Sequence, residues 1–127
     1  MNIKDKLLSK KQMEQLIGNG KKDYMEIQPV VRIFSPNTYA IWYLMSVNQE
    51  ENDIAFCIAD LGLGHVEFGT VRLSELKEIN VAGCFLENDK LFYEATKYPA
   101  YAYYLAGRKA KSLYNLKNSE VVKYLKG

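Results

Sequence analysis

The sequence is poor in the residues that build metal and redox sites. Among its 127 residues are only two cysteines and one histidine. Cys57 and Cys84 form no C-x-x-C pair, so they lack the spacing of a metal site. Both lie in apolar surroundings, where a free cysteine behaves as a small hydrophobic residue, and we therefore predict two buried thiols in a reducing cytosol. A chain of this length folds without a metal or disulfides, so no cofactor is expected.

Long hydrophobic stretches are also missing. The longest apolar runs, residues 39–45 and 54–59, fall far short of the roughly 18 residues that a membrane span needs. Residues 1–8 lack the long apolar stretch of a secretory signal. These absences predict a cytoplasmic protein without a membrane partner.

The length and the 48% hydrophobic composition predict one domain, residues 1–127, with one core.

Charge is unevenly distributed, although the net charge is only +2. Residues 1–22 carry six basic and two acidic side chains, residues 23–89 carry three and eleven, and residues 90–127 carry eight and two. If the two ends pack beside each other, the surface has a basic and an acidic side. Such a surface steers an anionic partner to one face, or simply keeps the protein soluble.

Hydrophobic periodicity predicts an α+β fold. Ser9 and Gln12 form a capping-box pattern, which predicts a helix over residues 10–17. Four apolar segments follow, separated by turns too short for the crossover of a parallel sheet: residues 30–34, 39–47, 54–59 and 66–72. We predict a single-layer antiparallel meander of about four to six strands, with the N-terminal helix and C-terminal helices packed on one face. The second strand is apolar on both sides and is predicted to be central.

The rest of the chain is predicted to alternate short elements. Residues 74–79 read as one helical turn, and residues 81–87 and 90–93 as a final hairpin. Pro99 suits the first turn of a longer helix, and a last short helix is predicted after Asn118 or Ser119.

One grouping of ionisable residues suggests chemistry. Asp60, His65 and Glu67 surround a glycine-rich turn, and a histidine with carboxylates is the composition of metal sites and acid–base pairs. A small hydrolase or metal-assisted enzyme at these residues is one hypothesis. The alternative is a hairpin turn with an exposed histidine, because the segment lacks the nucleotide-binding fingerprint and precedes a strand. No metal ligands and no catalytic residues are assigned.

A second hypothesis rests on the basic, tyrosine-rich C-terminal third. Tyr101, Tyr104, Arg108 and Lys111 line one face of the predicted helix. Aromatic rings offer rigid contact area and cations attract an anionic partner, so this face suggests a binding module for a nucleic acid or an acidic protein. The alternative is that the tyrosines pack the helix on the sheet and the cations form a solvated face.

A third reading is a structural or oligomerisation protein, because the second strand is apolar on both sides. The sequence gives no oligomeric state.

Several short motifs follow one another in a fixed order. They are Leu16-Ile17-Gly18-Asn19-Gly20, the strand around Trp42, Asp60-Leu61-Gly62-Leu63-Gly64, Glu67-x-Gly69, Leu73-Ser74-Glu75-Leu76, and Glu87-x-Asp89 with Phe92. Together they resemble an uncharacterised bacterial family, domain of unknown function 2958, over about residues 7–93. The segment after Tyr93 departs from it. The resemblance implies a cytosolic accessory role, since members often lie on plasmids and integrated mobile elements, and it implies no activity and no catalytic residues.

Overall fold

An antiparallel sheet of five strands forms the centre of the structure. The computed structural model describes residues 7–23, 25–95 and 97–126. Across the sheet the strands lie in the order β4-β3-β2-β1-β7. The strands of the chain are β1 Val31–Phe34, β2 Ile41–Val47, β3 Ile54–Asp60, β4 Val66–Arg72, β5 Asn80–Val81, β6 Cys84–Phe85 and β7 Glu87–Asn88. The predicted α+β class and the antiparallel meander of β1 to β4 are confirmed.

β2 is the central strand, as its apolar composition predicts. All seven of its residues are buried. It pairs with β1 on one side, with Ile33 opposite Trp42, and with β3 on the other, with Leu44 opposite Cys57. The register shifts between Leu44 and Ser46, which marks a bulge. A strand buried on both faces requires a cover on each side of the sheet.

The helices supply these two covers. They are α1 Lys10–Asn19, α2 Leu73–Glu78, α3 Phe92–Ala95, α4 Ala100–Ala110 and α5 Asn118–Val121, followed by a short 3-10 turn, Val122–Tyr124. Leu16 of α1 and Leu76 of α2 pack with Leu44 on one face. Tyr103 and Ala106 of α4 belong to the other cluster. The helices are therefore divided between two faces, where a single covered face was expected, because one cover would leave half of β2 in water.

The N-terminal helix begins as the capping box predicts. The N–H of Gln12 donates to Oγ of Ser9 at 3.1 Å, and the N–H of Ser9 donates to Oε1 of Gln12 at 3.0 Å. The helix continues past the predicted end at residue 17 and stops at Asn19, before Gly20. A Cβ at Gly20 would lie 2.7 Å from the carbonyl oxygen of Val47. Glycine is needed there because the helix end meets the end of β2.

The predicted hairpin of residues 81–87 and 90–93 is wrong. Instead, β5 and β6 pair with each other as a short hairpin. Its two-residue turn consists of Ala82 and Gly83, which have positive φ angles of 52° and 87°. β7 then pairs with β1, and Phe92 begins α3. Phe92 belongs in the core because its ring packs against Tyr43, with the centroids 4.9 Å apart.

The two cysteines differ in burial. Cys57 is buried within β3, and burial raises the pKa of its thiol to about 12. Cys84 is exposed, which corrects the prediction of two buried thiols. It lies on the β5–β6 hairpin, outside the five-stranded sheet and outside both core clusters of the described residues.

α4 lies unusually close to the sheet. It begins at Ala100, so that Pro99, which was expected in the first turn, is instead the N-cap residue, and Gly107 faces β4. A Cβ at this position would lie 2.8 Å from Cδ2 of Leu113 and 3.1 Å from Cγ1 of Val66. The absence of a side chain allows the helix to approach β4.

Within the described ranges, no helix has the length and apolar character required to cross a membrane.

Candidate functional site

An open groove of about 770 Å³ lies where α4 meets β4. One wall is the continuous segment of residues 63–68, which comprises the end of the β3–β4 turn and the first half of β4. The other wall is formed by Tyr104, Arg108 and Lys111. Their spacings of four and three residues place them along one side of the helix. The structure thus brings together three of the four residues of the predicted basic aromatic face.

Tyr104 contributes to the groove mainly by packing against neighbouring side chains. Its ring packs on Phe68, with the centroids 4.3 Å apart. Nη1 of Arg108 donates to its hydroxyl at 3.0 Å, and the guanidinium lies 5.5 Å from the ring centroid. These contacts hold Arg108 along the helix, while the residue itself stays exposed. A planar guanidinium held in this way suits recognition of a carboxylate.

Lys111 ends α4 in a left-handed conformation, with φ 58° and ψ 27°. Its N–H donates to the carbonyl of Arg108 at 3.3 Å, and the N–H of Ser112 donates to that of Gly107 at 3.1 Å. Glycine is the usual residue at such a helix end, because a left-handed conformation costs a residue with a Cβ about 1–2 kcal/mol. The chain has an exposed lysine at this position, at the end of the groove.

Tyr101 is separate from the groove. It is buried, and its hydroxyl accepts a hydrogen bond from the N–H of Lys126 at 2.9 Å. Nζ of Lys126 lies 4.7 Å from the centroid of its ring. Tyr101 therefore fixes the last described residues to α4, which is the packing role that the sequence left open for the tyrosines.

The residues of the predicted catalytic grouping do not converge. Glu67 lies opposite Ala59 and Asp60 lies opposite Val66, so the side chains of Glu67 and Asp60 point to opposite faces of the sheet. His65 and Glu67 line the groove, whereas Asp60 does not. In the described part of the chain, no three histidine, cysteine or acidic side chains are grouped as a metal site requires.

Asp60 is a buried structural carboxylate. Its Oδ1 accepts the N–H of Gly62 at 2.8 Å, and its Oδ2 accepts the N–H of Leu113 at 2.8 Å. The first bond shapes the β3–β4 turn and the second holds the segment that follows α4. Asp60 therefore ties together the two chain segments that flank the groove.

A set of exposed apolar side chains was not predicted from the sequence. The set comprises Tyr39 (61% exposed), Leu61 (56%), Leu63 (76%) and Tyr114 (46%), of which Leu63 lines the groove. Tyr39 and Tyr114 meet edge to face, with their centroids 4.6 Å apart. The signal was present in the sequence, because two leucines stand in a glycine turn where polar residues are usual.

The family of the chain is shown by a match over most of its length. The family model of the protein of unknown function DUF2958 matches residues 7–113. The chain belongs to this family. The match continues past Tyr93, where the resemblance in the motifs ended, so the whole of α4 and its groove lie within it. No curated protein and no solved structure matches the chain.

Proposed function

We propose that this member of the DUF2958 family is a non-enzymatic accessory binding protein, encoded on a bacterial mobile element and acting in the cytoplasm. Its groove between α4 and β4 holds an acidic segment of a partner protein. What supports this role is the convergence of Arg108 and Lys111 on a groove whose opposite wall includes the exposed Leu63. Arginine and tyrosine are enriched among the residues that dominate binding energy in protein interfaces.

A protein partner fits this groove better than a nucleic acid does. The groove walls carry the cations of Arg108 and Lys111 beside the carboxylate of Glu67, whereas a protein that binds nucleic acid mainly through charge contacts about 6–10 phosphates. The ring of Tyr104 already contacts Phe68 and Arg108, which reduces the area on which a base could stack. The exposed Leu63 in the groove wall suits an apolar side chain of a protein.

The two other hypotheses find less support in the geometry. Asp60 accepts two backbone hydrogen bonds away from His65 and Glu67, so a hydrolase or metal-assisted enzyme would have to work with the latter two alone. The two-sided apolar strand β2 is covered within the chain by α1 and α4, so it does not require a second copy.

The proposal is tested by fluorescence anisotropy with two labelled probes at about 50 mM salt. One probe is a peptide of alternating glutamate and valine, and the other is a single-stranded DNA of about 20 nucleotides. We expect the peptide to bind, and Arg108→Ala to weaken its binding about tenfold, because a held guanidinium loses its carboxylate partner.

Lys109→Ala is the matched control, because Lys109 is an exposed cation on the same helix that does not line the groove. It should leave the affinity within about twofold of the parent protein. Equal losses in the two variants would contradict a specific groove. If the protein binds the DNA but not the peptide, the partner is a nucleic acid and not a protein. If the protein binds neither probe, the proposal is overturned.

A further inference from the structure

The main chain of β4 forms part of the groove wall. Three consecutive residues, Val66, Glu67 and Phe68, line the groove. Side chains alternate between the two faces of a strand, and Glu67 points to the face opposite that of its neighbours. All three can line one groove only because the groove follows the edge of the strand, where the backbone is accessible.

β4 is also the long open edge of the sheet. Among the described residues it pairs with β3 alone, and it has seven residues, whereas β7 at the other edge has two. Glu67, Gly69 and Thr70 are exposed, and no atom lies within 4 Å of the position that a Cβ would take at Gly69. Along an edge strand, every second residue directs its N–H and C=O away from the sheet, so they can pair with another chain.

We infer, on the basis of the function proposed above, that the acidic partner segment binds as an additional β-strand alongside β4. Main-chain hydrogen bonds to β4 provide affinity. The cations of Arg108 and Lys111 determine which partner sequences bind. They lie beside this edge and favour carboxylates on the side of the added strand that faces the helix. The occupant is therefore an extended protein segment with acidic residues at alternate positions.

The inference is tested with two N-methylated forms of the glutamate–valine peptide. One form is methylated at the amides of every second residue, and the other at the amides of the remaining residues. In an added strand one set of amides faces β4 and the other faces solvent. We expect one methylated form to lose affinity about tenfold and the other to bind like the parent peptide, because only one form lacks the donors for the ladder. Of the consecutive residues Gly69 and Thr70, the one whose N–H faces away from β3 should exchange its amide hydrogen about tenfold more slowly after the parent peptide is added.

The outcomes separate this inference from the proposed function. If the parent peptide and both methylated forms bind equally, the groove binds side chains only, and strand addition is wrong while the function stands. If no form binds, both fail together. A stable dimer whose β4 amides are already protected before peptide is added would also overturn the inference, because a second copy would then occupy the edge. Loss of affinity in one methylated form only, with slowed exchange in β4, supports it.

Discussion

The two edges of the sheet end in different ways. At one edge, β7 is only two residues long, and its Asn88 binds to the start of α1. Nδ2 of Asn88 donates to the carbonyl of Leu7 at 3.1 Å and to Oε1 of Gln12 at 2.7 Å. At the other edge β4 has seven residues and an open groove beside it. Proteins usually shorten or cover the edges of their sheets to prevent unwanted pairing. Under the proposal made above, the open edge is where the partner strand binds.

A related difference appears in two carboxylates, one on β3 beside the open edge strand and one just after β7 at the closed edge. Asp60, at the end of β3, is buried and accepts two backbone hydrogen bonds. Asp89, just after β7, pairs with Arg32 at 3.3 Å, in a pair whose side chains are 34% and 20% exposed. The open edge therefore depends on a buried polar contact, whereas the closed edge has a partly solvated ion pair.

The largest effect is expected from Asp60→Ala. The substitution leaves the N–H groups of Gly62 and Leu113 without their acceptor, and we expect the free energy of unfolding to fall by about 3 kcal/mol. The measurement is urea unfolding followed by circular dichroism. Asp89→Ala is the matched carboxylate removal at the closed edge, where we expect a loss of about 1 kcal/mol or less. Similar losses in both variants would remove the contrast between the two edges.

A gain in stability with a loss of binding is expected from Lys111→Gly. Glycine adopts the left-handed conformation without strain, so the free energy of unfolding should rise by about 1 kcal/mol. Affinity for the acidic peptide should fall because the groove loses a cation.

Lys111→Ala separates these two effects, since alanine removes the charge but keeps the Cβ. This variant should lose affinity without becoming more stable. If Lys111→Gly and Lys111→Ala unfold at the same urea concentration, the left-handed conformation is not a source of strain at the end of α4.

The smallest effect concerns the far end of β4, where Asp53 holds the start of α2. Oγ of Ser74 donates to Oδ2 of Asp53 at 2.7 Å and the N–H of Ser74 donates to Oδ1 at 2.9 Å. These hydrogen bonds, with a contribution from Arg72, lower the pKa of Asp53 below its usual range. The native state thus binds this proton less readily than the unfolded state. The contribution to stability is complete above the pKa of the unfolded state and is lost as pH falls through the lower native value.

We therefore expect the free energy of unfolding of the parent protein to fall more steeply below about pH 4 than that of Asp53→Asn. The difference should be under about 1 kcal/mol, because the carboxylate is partly exposed. Urea unfolding at a series of pH values measures it. Parallel curves for the two proteins would show that Asp53 does not stabilise the junction of β4 and α2 through its charge.

Much of the local structure follows from short stretches of sequence. Ser9 and Gln12 fix the start of α1 because their hydrogen bonds join residues three apart. The turns between β1 and β4 are too short for parallel crossovers, so the antiparallel meander follows from their length. Arg108 and Lys111 fall on one side of α4 because helical spacing alone places them there.

Other features depend on which elements pack together, and these could not be predicted. Tyr101 and Tyr104 stand three residues apart on one helix, yet Tyr101 is buried beneath Lys126 while Tyr104 lines the groove. Asp60 and Glu67 are neighbours of the same turn, but the pairing of β3 with β4 sends their side chains to opposite faces. In the first case the partner, Lys126, is 25 residues away. In the second case the register of the β3–β4 pairing decides, and the residue types in the turn do not reveal it.

By itself, the sequence determined the α+β class, the meander and the chemistry of α4, since these depend on hydrogen bonds and periodicity within a few residues. Only the tertiary structure decided that α1 and α4 cover opposite faces and that β4 remains the long open edge. It also decided that Gly107 lets α4 approach β4 closely enough to form the groove. The reason is physical: burial and pairing are properties of surfaces that meet, and these surfaces come from distant parts of the chain.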